Sequence, residues 1–201
     1  MILGANKKMF VLKPNSISWV EIIIKKLNKN KLFNLINISA VLFGSILLII
    51  SSKIKVDLYP VPMTLQPLAV LMIGMLYGRN LATATIGFYI LQGLMGIPVF
   101  AYGGGFMYVF GPTGGFIIGF LISGIFLGEL ADRGWGKKII TSMICMLIGL
   151  LIIYFFGILQ LSFLKGFEYS ILKGFFPFII GDLYKLLIAG ILVPYIWKLA
   201  K

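Results

Sequence analysis

Six long apolar runs occupy most of this 201-residue chain and constrain its fold more than any other feature. The runs cover residues 32–52, 65–78, 81–99, 116–131, 139–164 and 174–197. The first, fifth and sixth have the roughly 20 residues that a membrane-spanning helix needs. The second is short and the third ends at a Gly-Ile-Pro sequence, so these two are predicted to span as a tight helical hairpin with bends. The predicted fold class is therefore an all-α membrane protein with six transmembrane helices.

The composition agrees with this class. Hydrophobic residues make up 60% of the chain and charged residues 12%, and the mean hydropathy is +1.03. A soluble domain of this length does not tolerate such values. The chain is interpreted as a multi-pass protein of the cell membrane, with one membrane domain at residues 32–201. A basic segment, residues 1–31, precedes it; residues 19–27 have the pattern of a short interfacial helix, and a poorly ordered leader is the alternative for residues 1–15.

Lys and Arg residues are distributed unequally between alternate connections. One side carries thirteen of the 18 and the other side four, with Lys185 left inside the membrane. Positive residues favour the cytoplasmic side, so both termini are predicted to be cytoplasmic, and the net charge of +12 is read as a topology signal and not as a nucleic-acid footprint. The thirteen are Lys7, Lys8, Lys13, Lys25, Lys26, Lys29, Lys31, Arg79, Arg133, Lys137, Lys138, Lys198 and Lys201; the four are Lys53, Lys55, Lys165 and Lys173.

Residue types that the chain lacks disfavour several classes of function. It has no His, and Cys145 is its one cysteine, in an apolar run where a packing role is expected. An intramembrane serine protease needs a His base, and a metalloprotease needs metal ligands. The Gly103–Gly105 triplet is not a phosphate-binding loop, because no strand precedes it and no Lys-Ser or Lys-Thr pair follows. No enzyme, ATPase site, metal site or cofactor is therefore predicted.

Asp182 and Lys185 lie inside the last apolar run, three residues apart, and project from nearly the same face of a helix. At bilayer depth an Asp or a Lys costs roughly 2.5–3.5 kcal/mol on insertion scales. A chain that keeps an acid and a base together there is interpreted as building a binding or transport site for a small polar molecule, with a purely structural ion pair as the alternative. Glu129, beside Asp132 and Arg133 at a helix end, is expected to be solvated or ion-paired.

Three connections are predicted on the outer side, at about residues 53–64, 100–115 and 165–173. The first carries Pro60 and Pro62, which make it extended and stiff. The second combines glycines, which permit close backbone approach, with aromatic side chains. These two connections are interpreted as a lid over a pocket, and ordinary surface turns are the alternative.

Small residues recur at four-residue spacing on two helices, a pattern that allows close helix packing in lipid. The fourth helix, where packing inside the bundle is expected, carries Gly115, Gly119, Gly124 and Gly128. The first helix carries Ala40 and Gly44, and for this pair an external partner is an equal alternative.

Five segments of the chain form a recognisable set: Val61-Pro-Met-Thr-Leu-Gln-Pro-Leu-Ala-Val70, Gly96-Ile-Pro-Val-Phe100, Gly103-Gly-Gly105, Phe110-Gly-Pro-Thr-Gly-Gly115 with Gly119-Phe120, and Gly181-Asp-x-x-Lys185. In this order, over roughly residues 35–200, they resemble the BioY family, the biotin-specific substrate-binding (S) components of energy-coupling factor (ECF) transporters. The first and fourth segments are the most specific.

The resemblance implies a six-helix S component that captures biotin at the outer side. It also implies association with a membrane coupling subunit and two cytosolic ATPases, which supply the energy. The face that carries Ala40 and Gly44 would dock on the coupling subunit, although this chain has Gly at the second position of the family's Ala-x-x-x-Ala pattern. An S component for another vitamin is one alternative. A stand-alone secondary transporter is the other, usually built from paired repeats that are not evident here.

Biotin presents a ureido group with two N–H donors and one carbonyl, and its fused ring has an apolar side. An ionised Asp182 only accepts hydrogen bonds and suits the ureido N–H groups. Lys185 donates, and suits the ureido carbonyl or, in an alternative pose, the valerate carboxylate. Four further residues are expected at the site, with local packing as the alternative: Thr64 and Gln66 for polar contacts, Phe100 and Tyr102 for the ring.

Overall fold

The computed structural model of the chain describes residues 32–199, with side chains from residue 35 onward. The N-terminal segment and its interfacial helix, predicted at residues 1–31, lie outside the described residues. The described part is mainly helical. Its elements in chain order are α1 (Leu32–Lys53), β1 (Lys55–Val56), β2 (Met63–Thr64), α2 (Gln66–Leu94), α3 (Phe106–Val109), α4 (Gly114–Asp132), a 3-10 turn (Trp135–Lys137), α5 (Ile139–Lys165), α6 (Phe167–Gly174) and α7 (Phe176–Leu199).

Five helices between residues 32 and 199 are long and apolar enough to cross a membrane: α1, α2, α4, α5 and α7. Four of these coincide with predicted apolar runs to within two residues at each end. The six separate helices predicted from the sequence are not found as such. The second and third runs form one element, α2, because the residues between them stay helical except at Gly78.

α2 folds back on itself at Gly78. The backbone there has φ 74° and ψ 173°, a conformation that glycine adopts far more readily than other residues. The side chains of Gln66 and Tyr89, 23 positions apart in the chain, are joined by a 2.8 Å hydrogen bond. In a straight helix these residues would stand about 35 Å apart. The two arms, residues 66–77 and 79–94, therefore form the tight helical hairpin that was predicted for these runs.

α4 packs closely against α2 and α5 through its small residues. A Cβ atom at Gly128 would lie 2.6 Å from the backbone of Arg79, next to the turn of α2, and one at Gly124 would lie 2.2 Å from an α2 side chain. Gly115 and Gly119 approach the backbone of α5 in the same way, with distances of 2.2 Å and 2.9 Å for an added Cβ. These contacts confirm that the small face of α4 packs inside the bundle.

The small face of α1 also turns toward the protein's own hairpin. Gly44 is buried, and a Cβ added there would lie 2.6 Å from Thr85 and 3.1 Å from Tyr77. The hydroxyl of Tyr77 donates to the carbonyl oxygen of Ala40 at 3.1 Å. Gly44 therefore serves packing within the chain, in contrast to the prediction that it docks an external partner. Ala40 is half-buried at the edge of this contact, and its docking role stays a prediction.

The two predicted lid segments meet at one end of the bundle. The lid hairpin, residues 55–64, pairs β1 with β2 in antiparallel fashion, and the lid loop, residues 95–113, contains α3. Lys53, the last residue of α1, holds the lid loop beside the start of the lid hairpin, because its Nζ donates to the carbonyl oxygens of Pro98 (2.8 Å) and Phe100 (2.5 Å). The third connection, predicted at 165–173, is the short helix α6.

An exposed ion cluster lies at the opposite end, where α2 turns and α4 finishes. Glu129 pairs with Arg79 at 3.3 Å and with Arg133 at 2.9 Å, and all three side chains are at least 37% exposed. Glu129 is therefore ion-paired at a helix end, as predicted. We call these three residues the turn-end cluster.

Candidate ligand-binding site

A partly open pocket with a cavity volume of about 50 Å³ lies beneath the lid hairpin and the lid loop. Its wall is mainly apolar, with a few polar side chains from the start of α2 and from α5 and α7. The lining residues are Val61, Pro62, Thr64, Gln66, Pro67, Phe100, Ala101, Tyr108, Thr113, Phe116, Ile117, Phe120, Ile153, Tyr154, Phe178, Asp182 and Lys185.

Asp182 and Lys185 form a buried ion pair on the face of α7 that lines this pocket. Lys185 Nζ donates to Asp182 Oδ1 at 2.6 Å, and the two side chains are 11% and 4% exposed respectively. Lys185 Nζ also donates to the carbonyl oxygen of Thr64 at 2.7 Å. The structure thus brings the predicted acid and base together and joins them to the lid hairpin.

Tyr154, on α5, completes the polar group. Its hydroxyl donates to Asp182 Oδ2 at 2.6 Å, so each carboxylate oxygen accepts one hydrogen bond from the protein. Its ring packs edge-on against Phe175 with centroids 5.0 Å apart. Tyr154 is a functional candidate that the sequence does not reveal. The one signal is a lone tyrosine in an apolar helix, and that signal does not tell which neighbour the hydroxyl meets.

The ion pair lies in the half of α7 that is closer to the lid. Asp182 comes six residues after Phe176, where α7 starts, which corresponds to a rise of about 9 Å. Lys185 is one turn further along, and its long side chain reaches back to the carbonyl of Thr64. The carbonyl of Thr64 thus gives Lys185 a polar partner from the lid hairpin, which an isolated charge at the bilayer centre would lack.

Thr64 and Gln66 both line the pocket, at the positions predicted for them. Both also form hydrogen bonds within the protein. Gln66 Nε2 donates to the hydroxyl of Tyr89 at 2.8 Å, which joins the two arms of α2. The backbone N–H of Gln66 donates to Thr64 Oγ1 at 3.2 Å, where the lid hairpin passes into α2. Their contacts with a ligand stay predictions, and these bonds show that each residue has a structural role as well.

Phe100 forms part of the pocket wall beneath the lid loop. It is 1% exposed and stacks on Tyr108 with ring centroids 4.8 Å apart. The ring of Tyr89 meets it edge-on at 5.6 Å. This aromatic group fits against α2 because Gly93 leaves space for it: a Cβ there would lie 2.0 Å from the ring of Phe100.

Tyr102 does not line the pocket, in contrast to its predicted place against the ligand ring. It is 54% exposed, and its hydroxyl donates to Asp57 Oδ1 at 2.8 Å. Lys55 Nζ lies 2.8 Å from the same oxygen and 3.4 Å from the centre of the Tyr102 ring. Hydrogen bonds from Lys55 and Tyr102 hold the pKa of the Asp57 carboxyl below its ordinary value. These three residues, here called the lid clasp, fasten the lid hairpin to the lid loop from outside.

The polar group of the pocket retains hydrogen-bonding capacity. The ammonium of Lys185 has three N–H donors, of which two are engaged by Asp182 and Thr64. Each oxygen of Asp182 accepts one bond and keeps further lone-pair capacity. A neutral ligand with both donors and an acceptor would complete this group.

Comparisons with known proteins give a consistent assignment. A family model described as the BioY family matches residues 26–201. The chain is similar to a probable biotin transporter BioY of Pyrococcus horikoshii, with 38% identity over 138 residues, 68% of this chain and 80% of the relative. It is similar to the biotin transporter BioY of Thermotoga maritima, with 34% identity over 155 residues, 76% of this chain and 90% of the relative.

The fold is similar to that of one solved structure, the S-component for biotin from an ECF-type ABC transporter. The TM-score is 0.75, with 25% sequence identity, and the match covers 85% of this chain and 94% of that chain. The helical arrangement described above is therefore that of an ECF S component.

Proposed function

The chain belongs to the BioY family, whose members are membrane transporter components and not enzymes, and we propose that it captures biotin at the outer side of the membrane for uptake by an ECF transporter. The observation that carries this proposal is the Asp182–Lys185 pair, held with Tyr154 in the wall of the pocket beneath the lid hairpin and the lid loop. Biotin is the transported ligand, and no cofactor takes part.

The free hydrogen-bonding capacity of the pair matches the ureido group of biotin. Asp182 accepts from the ureido N–H groups, while the remaining N–H of Lys185 donates to the ureido carbonyl and keeps the carboxylate neutralised. Phe100, stacked on Tyr108, offers an aromatic wall to the apolar side of the fused ring. In the alternative pose, Lys185 meets the valerate carboxylate.

A comparison of biotin with its methyl ester distinguishes the two poses. If Lys185 meets the carboxylate, esterification weakens binding to the wild type, and this difference disappears in Lys185→Met. If Lys185 meets the ureido carbonyl, Lys185→Met weakens the acid and the ester by the same factor. Titration calorimetry on purified protein measures all four affinities.

The topology that fits this function has six membrane crossings and cytoplasmic termini. The two arms of α2 are about 18 Å and 24 Å long, which is shorter than the hydrocarbon core of about 30 Å. The segment before the first arm extends the crossing, because Val61 and Thr64 are only 4% and 9% exposed. Irregular backbone is tolerated at membrane depth where it is buried in protein. The thirteen-to-four distribution of Lys and Arg supports this orientation.

Thiol labelling of whole cells tests the orientation. In a Cys145→Ala background, a cysteine at Tyr59, which is 78% exposed on the lid hairpin, should react with an impermeant reagent. A cysteine at Lys138, exposed at the opposite end, should react only after the cells are permeabilised. Labelling of position 138 but not position 59 in intact cells would reverse the topology.

We assign energy supply to a membrane coupling subunit and two cytosolic ATPases, because the chain has no nucleotide-binding motif. Of the two residues proposed for docking, Ala40 is the informative one, since Gly44 is buried against Thr85 and Tyr77. Ala40→Leu should reduce co-purification with the coupling subunit while leaving biotin affinity unchanged. Equal co-purification would remove Ala40 from the interface.

The ligand assignment is tested by binding measurements on the purified protein with a panel of vitamins. Biotin should bind most tightly, and preference for another vitamin would make the chain a different S component. Uptake into liposomes tests the energy source separately. If the purified chain alone concentrates biotin when an ion gradient is applied, the chain is a secondary transporter.

A further inference from the structure

The lid loop exposes a compact apolar patch that the ligand site does not use. Phe106, Met107 and Phe110 are 62%, 79% and 59% exposed, and the rings of Phe106 and Phe110 lie 5.1 Å apart. These three residues, here called the loop patch, do not line the pocket. The side chains of Phe100 and Tyr108, from the same loop, do line it. The loop therefore has one face toward the ligand and another that the described part of the chain does not cover.

The sequence around the loop patch carries no charge over an unusual length. Residues 80–128, which include the whole lid loop, contain no Lys, Arg, Asp or Glu. The lid hairpin, by contrast, carries Lys55 and Asp57, and α6 carries Glu168 and Lys173. The lid hairpin, the lid loop and α6 lie at the same end of the bundle. Of these three connections, the lid loop is the one without a charged side chain.

Backbone carbonyl groups of the lid loop have hydrogen-bond partners within the protein, as an apolar environment requires. Side chains from α1, the second arm of α2 and α5 donate hydrogen bonds to five of its carbonyl oxygens. The donors are Ser52, Lys53, Tyr89 and Gln160, and the acceptors are the carbonyls of Pro98, Val99, Phe100, Val109 and Gly111. Irregular backbone can lie at membrane depth only where neighbouring protein groups replace water in this way.

We propose that the loop patch inserts into the lipid leaflet at the lid end of the bundle, with Phe106, Met107 and Phe110 at the boundary between headgroups and acyl chains. Amphipathic aromatic and large apolar side chains favour this boundary. A protein partner would be expected to meet a polar rim around an apolar centre, and the lid loop itself contributes no charged side chain to such a rim. The lipid surface thus holds the lid loop in place, whereas the charged lid hairpin stays in water.

Spin labels measure the depth directly. In the Cys145→Ala background, single cysteines at Phe106, Met107 and Phe110 are labelled with a nitroxide, and the protein is reconstituted in lipid nanodiscs. Accessibility to oxygen, which concentrates in hydrocarbon, is compared with accessibility to a water-soluble nickel chelate. Phe155→Cys is the lipid control, since Phe155 is 62% exposed in the middle of α5. Glu168→Cys, exposed on α6, is the aqueous control.

The expected oxygen-to-nickel ratio at the loop patch is several-fold higher than at position 168 and lower than at position 155, because the patch lies at the boundary and not at the bilayer centre. A ratio equal to that at 168 would place the patch in water and overturn the proposal. Low accessibility to both reagents would also overturn it, because it would mean that a second copy of the chain covers the patch. Retained biotin binding identifies the variants that are folded.

A second measurement uses the unmodified chain, so its result does not depend on whether a variant folds. A lipid-soluble photoreactive carbene reagent is activated in nanodiscs that contain the unmodified chain, and modified peptides are located by mass spectrometry. Modification at residues 106–110, with none at Glu168, is expected. The reverse pattern would contradict insertion of the loop patch, whatever the ligand of the pocket proves to be.

Discussion

Two clusters of carboxylates and cations, at opposite ends of the bundle, have the same chemistry and different surroundings. The turn-end cluster places Glu129 between two arginines, and its side chains are 37–58% exposed. The Asp182–Lys185 pair is 4% and 11% exposed, and Tyr154 and the carbonyl of Thr64 enclose it. The spacing of charges along a helix is therefore not what distinguishes a binding site. What distinguishes the candidate site is burial next to a pocket, with hydrogen-bonding capacity left over.

The two clusters also differ in how the loss of one charge affects the stability of the fold. Exposed pairs contribute about 0–1 kcal/mol to stability, because water screens the charges and competes for their hydrogen bonds. Removal of one partner from a buried pair leaves the other charge without compensation, which costs about 3–5 kcal/mol. The pocket pair must therefore be kept intact for the fold as well as for the ligand, and experiments on it must separate the two effects.

The largest effect is expected at the pocket pair. Asp182→Asn and Lys185→Met should each weaken biotin binding at least tenfold. The reason is that a hydrogen bond to a charged group is worth roughly 1.5–3 kcal/mol, and 1.4 kcal/mol is a factor of about ten in Kd. Titration calorimetry measures the affinities, and monodispersity in detergent shows whether each variant is folded.

The double variant separates a binding pair from a structural one. With both charges removed, no uncompensated charge remains, so the double variant should fold better than the worse of the single variants. It should still bind biotin poorly. Recovery of both folding and binding in the double variant would mean that the pair holds the bundle together and does not contact the ligand.

Tyr154→Phe should produce the next largest effect. The change removes the hydroxyl that donates to Asp182 Oδ2 and leaves the ring in place. A loss of about 1.5 kcal/mol, close to tenfold in Kd, is expected if this bond positions the carboxylate. Tyr169→Phe, in α6 and outside the pocket lining, is the matched control. Unchanged affinity in Tyr154→Phe would show that Lys185 alone positions Asp182.

Glu129→Gln should have a small effect that is confined to stability. The turn-end cluster is exposed, so the loss should be at most about 1 kcal/mol, measured as a change in the thermal midpoint in detergent. Biotin affinity should equal that of the wild type. A tenfold loss of affinity would mean that the two ends of the bundle are coupled, and the contrast drawn between the clusters would then fail.

The smallest effect is expected at the lid clasp, which resembles the turn-end cluster in its exposure and the pocket pair in its position. The pKa of Asp57 is lowered by Lys55 and Tyr102, so its ion pair is fully formed above the ordinary carboxyl pKa and is lost as the pH falls through the lowered value. Biotin dissociation should accelerate slightly in that acid range. Asp57→Asn should lack this step, and an identical pH profile in that variant would assign the step to another group.

The sequence predicts the membrane helices well because hydrocarbon demands uninterrupted apolar runs of definite length. The same argument separates the second and third runs at Arg79 and Asn80, whereas the structure keeps these residues helical and reverses the chain at Gly78 alone. Hydropathy reports where a chain is polar. It does not report how few residues a reversal requires. The sequence therefore predicts two separate helices where the structure has the single folded element α2.

The candidate site could be predicted only in part. Asp182 and Lys185 stand out because charge in an apolar run is costly wherever it occurs. The contribution of Tyr154 depends on how α5 packs against α7, which no local pattern encodes. Tyr102 illustrates the opposite error. An aromatic residue in a loop is equally suited to either side of that loop, and its position outside the pocket follows from its bond to Asp57.

The reversal at Gly78 has a consequence for how the chain enters the membrane during synthesis. The arms have 12 and 16 residues, and neither reaches the roughly 20 that an independently inserted segment needs. A one-residue turn leaves no polar loop between them that could be transferred across the bilayer on its own. If both arms cross the membrane, as we propose, they must therefore partition from the translocon as one unit. A substitution at Gly78 that prevents the reversal would therefore impair membrane insertion first. The amount of protein in the membrane would fall, whatever the transport activity of the molecules that remain.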